Sequence, residues 1–221
     1  MKERLDRQTI AMRVAKEIPE DYIVNLGIGI PDLVGNLIPQ EKNVHFQAEH
    51  GVLNFGAVIF DKDLIDWDYT DAGGHPVELN PGACFFHHAD SFAMIRGGHI
   101  DITVLGALQV SEKGDLANWW FPEHGFGNIG GAMDLAVGSK KLFVAMEHTT
   151  KEQKPKIVKS CTYPVTAIEV VKLIFTDLAV IEVTRGGLVL KEVAPGWTVE
   201  EIQTLTQPKL RVVPDLTEIQ L

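Results

Sequence analysis

The stretch YIVNLGIGIPDLVGNL at residues 22–37 decides the fold of this chain. Residues 22–26 form a short apolar run that predicts a buried strand. A Gly-Ile-Gly-Ile-Pro turn follows at 27–31, and its proline suits the first turn of a helix that we predict over 32–37. A strand, a glycine turn and a helix in this order are typical of an α/β protein with a parallel sheet.

The alternation of strands and helices continues on both sides of this stretch. Residues 4–18 carry apolar side chains at helical spacing and predict an amphipathic helix. Further strands are predicted at 44–48, 100–105, 143–146, 178–183 and 188–193, and further helices at 84–95, 167–175 and 198–205. Residues 52–83, which are rich in Gly, Asp, Asn and Pro, predict long ordered loops with a short strand or two. We therefore expect an α/β fold, with an open, mostly parallel sheet that helices cover, in a single domain over residues 1–221.

The composition restricts the class of protein. With 45% hydrophobic and 23% charged residues, the chain is typical of a globular protein. No apolar run reaches the roughly 18 residues of a membrane helix, and the N-terminus lacks a signal-peptide pattern, so we expect no membrane partner and a cytoplasmic location. The net charge of −10 argues against nucleic acid as the main partner, although backbone N–H groups and a few lysines can still bind an anionic ligand. Cys84 and Cys161 are predicted to be free thiols.

Glu49 is the first candidate for chemistry. It follows the predicted strand at 44–48 and precedes His50 and Gly51. In open α/β sheets, ligands collect outside the carboxyl ends of the strands. A glutamate there, before a glycine that lets the chain turn sharply, is placed to project into a cleft. The alternative from the residues alone is a strand-end glutamate that makes a surface hydrogen bond.

Two glycine-rich turns are further candidates. The stretch GFGNIGG at 125–131 matches GxGxxG, but a doubtful strand precedes it and no acidic residue stands at the spacing that a dinucleotide site requires. Its N–H groups either face a ligand or belong to a purely structural turn. The turn at 27–31 is placed to cradle a ligand at a helix start, although the pattern alone favours tight strand-to-helix packing.

The histidines do not predict a metal site. The chain has 8 of them, and His87 and His88 are adjacent. Adjacent residues on a helix point about 100° apart, so this pair is not expected to bind one metal ion. No other ligand spacing is present, and we expect no metal.

Taken together, the segments resemble the β subunit of the family I CoA-transferases, of the acetate, butyrate and 3-oxoacid type. The resemblance runs over nearly the whole chain, in the order and spacing of the family. It is carried by VNLGIGIPDLV at 24–34, AEHG at 48–51, DAGGHPVELNPGACFF at 71–86, SFAMIRGGHIDITVLGALQV at 91–110, ANWWFP at 117–122 and GGAMDLAVGSKKLFVAMEH at 130–148.

The resemblance implies a fold, a reaction and a partner. The fold is an open α/β sheet of the CoA-transferase type. The reaction moves CoA between a short-chain acyl-CoA and a carboxylic acid, by ping-pong kinetics through a covalent glutamyl-CoA thioester on Glu49. CoA is a substrate, and no tightly bound cofactor is expected. The partner is a CoA-transferase α subunit, in a heterodimer or an α2β2 heterotetramer.

The resemblance also implies further site residues. A backbone N–H of the GGAMD turn is expected to stabilise the oxyanion, which indicates Gly130 and, as a second candidate, Gly131. Asn25 and the stretch from Gly27 to Gly29 match residues that line the site near the nucleophile.

The sequence departs from the family pattern at three places. His50 stands where the glutamate loop usually has asparagine, His87 and His88 interrupt the usual Phe-Asp-Ser run, and His124 follows Glu123 where Pro-Gly-Lys is usual. These departures leave the acyl donor and the acceptor acid open. Two alternatives to a transferase also remain open at this point: an acyl-CoA hydrolase on the same fold, and a non-catalytic CoA-binding subunit.

Overall fold

A computed structural model describes residues 2–221, and it consists of helices and strands around a large twisted sheet. The helices are α1 (Arg7–Glu17), α2 (Ile30–Gly35), α3 (His88–Arg96), α4 (Ala132–Gly138) and α5 (Val199–Thr204). The strands are β1 (Ile23–Leu26), β2 (His45–Ala48), β3 (Val52–Val58), β4 (Val77–Phe85), β5 (Ile102–Leu105), β6 (Gln109–Ser111), β7 (Leu116–Ala117), β8 (Trp120–Phe121), β9 (Phe126–Gly127), β10 (Lys141–Ala145), β11 (Ile157–Val158), β12 (Val171–Phe175), β13 (Ala179–Thr184), β14 (Gly187–Val193) and β15 (Arg211–Glu218).

The main sheet has ten strands in the order β15-β14-β13-β12-β10-β5-β1-β2-β3-β4. Its centre, from β12 to β2, is parallel throughout. Antiparallel hairpins extend both ends, through β3 and β4 on one side and β13 and β14 on the other. The expected α/β fold with a mostly parallel open sheet is confirmed.

The two faces of the sheet bury separate apolar clusters. Along β10, Leu142 and Val144 contribute to one cluster, whereas Phe143 and Ala145 contribute to the other, as the two-residue period of a strand requires. Helix α1 packs on the second face. Helices α3, α4 and α5 cover part of the first face together with the small β11-β6-β7 sheet, so strands as well as helices cover the main sheet.

Local signals explain most element boundaries. Helix α2 begins at Ile30, with Gly29 as its N-cap at φ +100° and a proline in its first turn. The side chain of Thr198 accepts a hydrogen bond from Glu201 N–H at the start of α5, and the Glu201 carboxylate accepts one from Thr198 N–H, which is a capping box. Within residues 2–221, no helix combines the length and the apolar character needed to cross a membrane.

Three sequence predictions need correction. The helix predicted at 167–175 is wrong, because Val171–Phe175 is a strand that pairs in parallel with β10. The helix predicted from residue 84 begins at His88, since β4 extends to Phe85. The segment 52–83, predicted as long loops with a short strand or two, has more strand than expected: β3 of seven residues, and most of β4, which has nine and continues to Phe85, pair with each other.

Candidate functional site

Glu49 lies in the tight turn that joins β2 to β3. Gly51 N–H donates to the Ala48 carbonyl at 3.0 Å, which closes the turn. Gly51 has φ +125°, and a Cβ there would overlap the carbonyl oxygen of Phe86. Only glycine fits such a position without moving the backbone. The turn therefore holds Glu49 half-buried at the carboxyl end of β2, which pairs in parallel with β1.

A buried row of polar side chains connects to the Glu49 carboxylate. Asn25 Nδ2 lies 3.2 Å from Glu49 Oε2, 2.8 Å from Gln47 Oε1 and 2.9 Å from the Gln47 carbonyl. Gln47 Nε2 donates in turn to Ser91 Oγ at 2.7 Å. Asn25, Gln47 and Ser91 are at most 1% exposed. The row reaches from α3 across β2 and β1 to the carboxylate.

The start of α4 forms a second wall beside Glu49. A Cβ placed on Gly131 would lie 3.5 Å from Glu49 Cγ and 3.2 Å from Phe92 Cζ. The Arg96 guanidinium lies over the Phe92 ring, 5.6 Å from its centroid, and its Nε is 2.6 Å from Asp134 Oδ1. These contacts join α3 to α4, so both helices border the same carboxylate.

The structure brings some of the sequence-predicted residues together beside Glu49 and engages the N–H groups of two others in hydrogen bonds within the fold. Asn25 and Gly131 lie beside Glu49, and His50 is its exposed neighbour in the turn. Gly27 N–H donates to the Val104 carbonyl at 2.9 Å, and Gly29 N–H donates to Asp32 Oδ2 at 2.8 Å.

The two glycines of the GGAMD turn differ in their N–H groups. Gly130 has φ +48°, and its N–H donates to Asn128 Oδ1 at 3.0 Å. Among residues 2–221, Gly131 N–H has no acceptor. Gly130 N–H is thus engaged within its own turn, whereas the Gly131 N–H is not engaged among the described residues, and an added Cβ on Gly131 would lie 3.5 Å from Glu49 Cγ.

A cluster of two aspartates and one histidine lies near the β2–β3 turn that holds Glu49. One side-chain ligand atom from each of Asp32, Asp71 and His75 lies within 4.8 Å of the others, and His75 Nδ1 is 2.9 Å from Asp71 Oδ2. Burial raises the pKa of Asp32, and the charges of Asp71 and Glu49 add to that rise. The hydrogen bond from Gly29 N–H and the charge of His75 oppose the rise in the Asp32 pKa, so burial is its main cause.

The histidines that depart from the family pattern have local partners. His87 caps α3, with its Nδ1 accepting from Ala89 N–H at 3.1 Å. His88 lies against Phe92, with ring centroids 4.7 Å apart. His124 stacks on Phe126 in the β8–β9 hairpin, with centroids 5.7 Å apart. These contacts pack the rings against their own elements.

Sequence reasoning missed Gln47, Ser91 and Phe92. A signal for Gln47 was present, because an uncharged polar residue in the otherwise apolar end of a central strand needs a buried partner. Ser91 and Phe92 carried no such signal, since their contact with the turn depends on how α3 packs.

The comparisons with known proteins identify the family. The family described as Coenzyme A transferase matches residues 7–205. The chain is 48% identical over 208 residues to one of the subunits of 3-oxoadipate CoA-transferase from Acinetobacter baylyi, covering 92% of this chain and 94% of that protein. It is 43% identical over 210 residues to the β subunit of acetate CoA-transferase from Escherichia coli, covering 95% of each.

The fold also matches a solved structure. An acyl-CoA transferase from Escherichia coli O157:H7 superposes with a TM-score of 0.78 at 20% identity, over 99% of this chain. This chain spans 45% of the length of that protein. At this identity the likeness concerns the fold alone. The family match and the identities over more than nine-tenths of the chain carry the assignment: this chain belongs to the coenzyme A transferase family.

Proposed function

We propose that this chain is the catalytic β subunit of a CoA-transferase, with Glu49 as the nucleophile that carries first an acyl group and then CoA. The donor is a short-chain acyl-CoA or a 3-oxoacyl-CoA, and the acceptor is a carboxylic acid. The observation that carries the proposal is the half-buried Glu49 carboxylate, held by the Asn25 amide at 3.2 Å and packed close to Gly131, where an added Cβ would lie 3.5 Å from Glu49 Cγ.

The chemistry balances without a cofactor. A Glu49 carboxylate oxygen attacks the thioester carbonyl, the C–S bond breaks, and CoA thiolate leaves a mixed anhydride on the enzyme. The thiolate then attacks the Glu49 carbonyl carbon, which frees the first acid and forms the glutamyl-CoA thioester. The second acid reverses both displacements, so the carboxylate is regenerated with no net proton change. Two easier steps replace one difficult exchange, and the kinetics are ping-pong.

Each displacement passes through an oxyanion that needs fixed donors. Asn25 Nδ2 faces Glu49 Oε2, which becomes the carbonyl oxygen of the glutamyl intermediates. Its N–H is therefore placed to donate to the oxyanion formed on Glu49. A backbone N–H of the GGAMD turn, from Gly130 or Gly131, is the second donor from this chain, and preorganised donors of this kind are worth about 10²–10³ in rate each.

The proposal includes a partner and a location. Both of the named relatives are single subunits of a CoA-transferase, and the one from Escherichia coli is its β subunit. These names support assembly with an α subunit in a heterodimer or an α2β2 heterotetramer. The α subunit supplies further donors and part of the CoA site. A cytoplasmic location is part of the same proposal.

Replacement of Glu49 tests the nucleophile. Co-purified with its partner subunit, Glu49→Ala and Glu49→Gln should lower acyl-CoA:acid exchange by at least about a thousandfold, because no covalent intermediate can form. The matched control is Glu20→Gln, an exposed glutamate just after α1. Exchange that survived near the wild-type rate in Glu49→Ala would refute the assignment.

Trapping gives an independent reading of the intermediate. After incubation with an acyl-CoA, hydroxylamine or borohydride should modify Glu49 alone, as located by peptide mass. Measuring CoA release with and without an acceptor acid then separates a transferase from a hydrolase. A transferase releases little free CoA in the absence of the acid, whereas a hydrolase releases it continuously.

A further inference from the structure

The buried row beneath Glu49 has a fixed direction of hydrogen bonding. Gln47 Nε2 lies 3.2 Å from the Ala48 carbonyl, which only accepts, so the nitrogen must face that way. Gln47 Oε1 then faces Asn25, which must present Nδ2 to it. The Gln47 carbonyl, also an acceptor, requires the same orientation of Asn25. Two backbone carbonyls thus determine which atom of Asn25 faces the nucleophile.

The Asn25 amide has more acceptors than hydrogens. Its two N–H groups face three oxygens, at 2.8 Å and 2.9 Å on Gln47 and at 3.2 Å on Glu49. The hydrogen bond to Glu49 is the longest of the three, and the orientation of the amide that makes it depends on how firmly Gln47 is held. Ser91 Oγ, at 2.7 Å from Gln47 Nε2, provides that hold from α3. If the Gln47 side chain rotates, Asn25 loses one of the two partners that fix its orientation.

We propose that Gln47 and Ser91 are positioning residues for the nucleophile, which act through Asn25 by keeping its Nδ2 turned toward the Glu49 carboxylate. Neither side chain bonds to Glu49 itself. The proposal rests on the proposed function of Glu49, since it concerns the rate at which that carboxylate reacts. Asn25 Oδ1 is buried without a partner among the described residues, so the contacts with Gln47 and Glu49 alone orient the Asn25 amide, and the loss of a distant member of the row reaches the reacting group.

Single-turnover acylation of Glu49, followed by quenching and mass spectrometry of the co-purified complex, tests the proposal. Ser91→Ala should slow acylation about five- to tenfold, the size expected for one lost buried hydrogen bond, with the KM for acyl-CoA changed by less than about twofold. Gln47→Met should slow it more. The double variant should be no slower than Gln47→Met, because the two residues act in series.

The matched control is Ser111→Ala. Ser111 is also a buried serine, 1% exposed, and its hydroxyl bonds to Asp115 at 2.8 Å in a different sheet. Ser111→Ala should lose about as much thermal stability as Ser91→Ala, while its rate of acylation stays at the wild-type value. Wild-type acylation in Ser91→Ala, or equal slowing in Ser111→Ala, would overturn the positioning role. If the wild-type complex itself never acylates Glu49, the proposed function fails first and this inference fails with it.

Discussion

His148 should make the stability of the protein depend on pH well above the range where carboxylates titrate. Its side chain is 0% exposed, and its two ring nitrogens lie 2.9 Å from Thr176 Oγ1 and 2.9 Å from Thr206 Oγ1. Burial lowers the pKa of His148 to about 3, and the positive charges of Arg4 and Lys156 contribute. The native protein therefore contains a neutral imidazole in this position.

The sign of the effect follows from the two states. An unfolded histidine has a pKa of about 6.5, so above that pH neither state binds the proton. Between about pH 6.5 and pH 3 only the unfolded state binds it, and the free energy of unfolding falls as the pH falls. The slope approaches about 1.4 kcal/mol per pH unit, which gives about 2 kcal/mol between pH 6.5 and pH 5. That is a large fraction of a typical stability of about 5–15 kcal/mol.

Urea unfolding between pH 7.5 and pH 5 measures this slope. His148→Gln keeps an uncharged polar side chain but removes the proton site. The variant should be less stable than the wild type at pH 7.5, because the threonine hydrogen bonds are not reproduced. Below pH 6.5 its free energy of unfolding should fall less steeply with pH, and the difference in slope should correspond to one bound proton, about 1.4 kcal/mol per pH unit. His99→Gln, at an exposed histidine, should retain the wild-type slope.

The reasoning would be refuted by equal slopes. If the wild type and His148→Gln lose the same free energy of unfolding between pH 6.5 and pH 5, His148 is not held neutral by burial. If His99→Gln loses as much of the slope as His148→Gln does, the conclusion is the same, because replacing an exposed histidine would then have the same effect on the pH dependence of stability.

Three substitutions give further expected outcomes. Gly51→Ala should lower the free energy of unfolding by about 2–4 kcal/mol in urea titration, because φ is +125° and the turn must move; an unchanged midpoint would contradict this. Gly131→Ala should leave the free energy of unfolding within about 1 kcal/mol of the wild type, since the φ of Gly131 is −86°, which suits alanine. The added methyl group beside Glu49 should nevertheless slow single-turnover acylation at least about tenfold. Arg13→Met should cost about 3–5 kcal/mol in the same titration, because it leaves the Glu192 carboxylate without the donors now at 2.7 Å and 2.6 Å; adding Glu192→Leu should recover part of the loss.

The sequence predicted the elements with clear local signals. The strand and glycine turn at 22–31 and the helix at 198–205 were recovered, because turn chemistry and helix capping are local. The segment 167–175 was misread as a helix, since its apolar residues fit both periods. Val171 and Ile174 are buried and Lys172 is exposed in a strand paired with β10. That pairing is a tertiary effect which a single sequence does not encode locally.

Only part of the candidate site was predictable from the sequence, because only part of it depends on residues that are close together in the chain. Glu49 could be found because it follows a strand and precedes Gly51, and both features lie within a few residues. The link between Gln47 and Ser91 joins residues 44 positions apart, so it depends on α3 packing against β2. The closeness of Gly131 to Glu49 is likewise a product of sheet order and of the contact between α3 and α4.

The arrangement around Glu49 suits a carboxylate that must react as well as stay in place. A strong ion pair would lower the reactivity of its oxygens, and among residues 2–221 no salt bridge includes Glu49. Its contact with Asn25 is the longest of three that the same amide makes. On the mechanism proposed above, an oxyanion would form on Glu49 when CoA thiolate attacks the acylated side chain, and the charge gained over a neutral carbonyl would strengthen the hydrogen bond from the shared N–H. For that displacement the donor would be weak in the ground state and stronger in the transition state, which is the difference that accelerates a reaction.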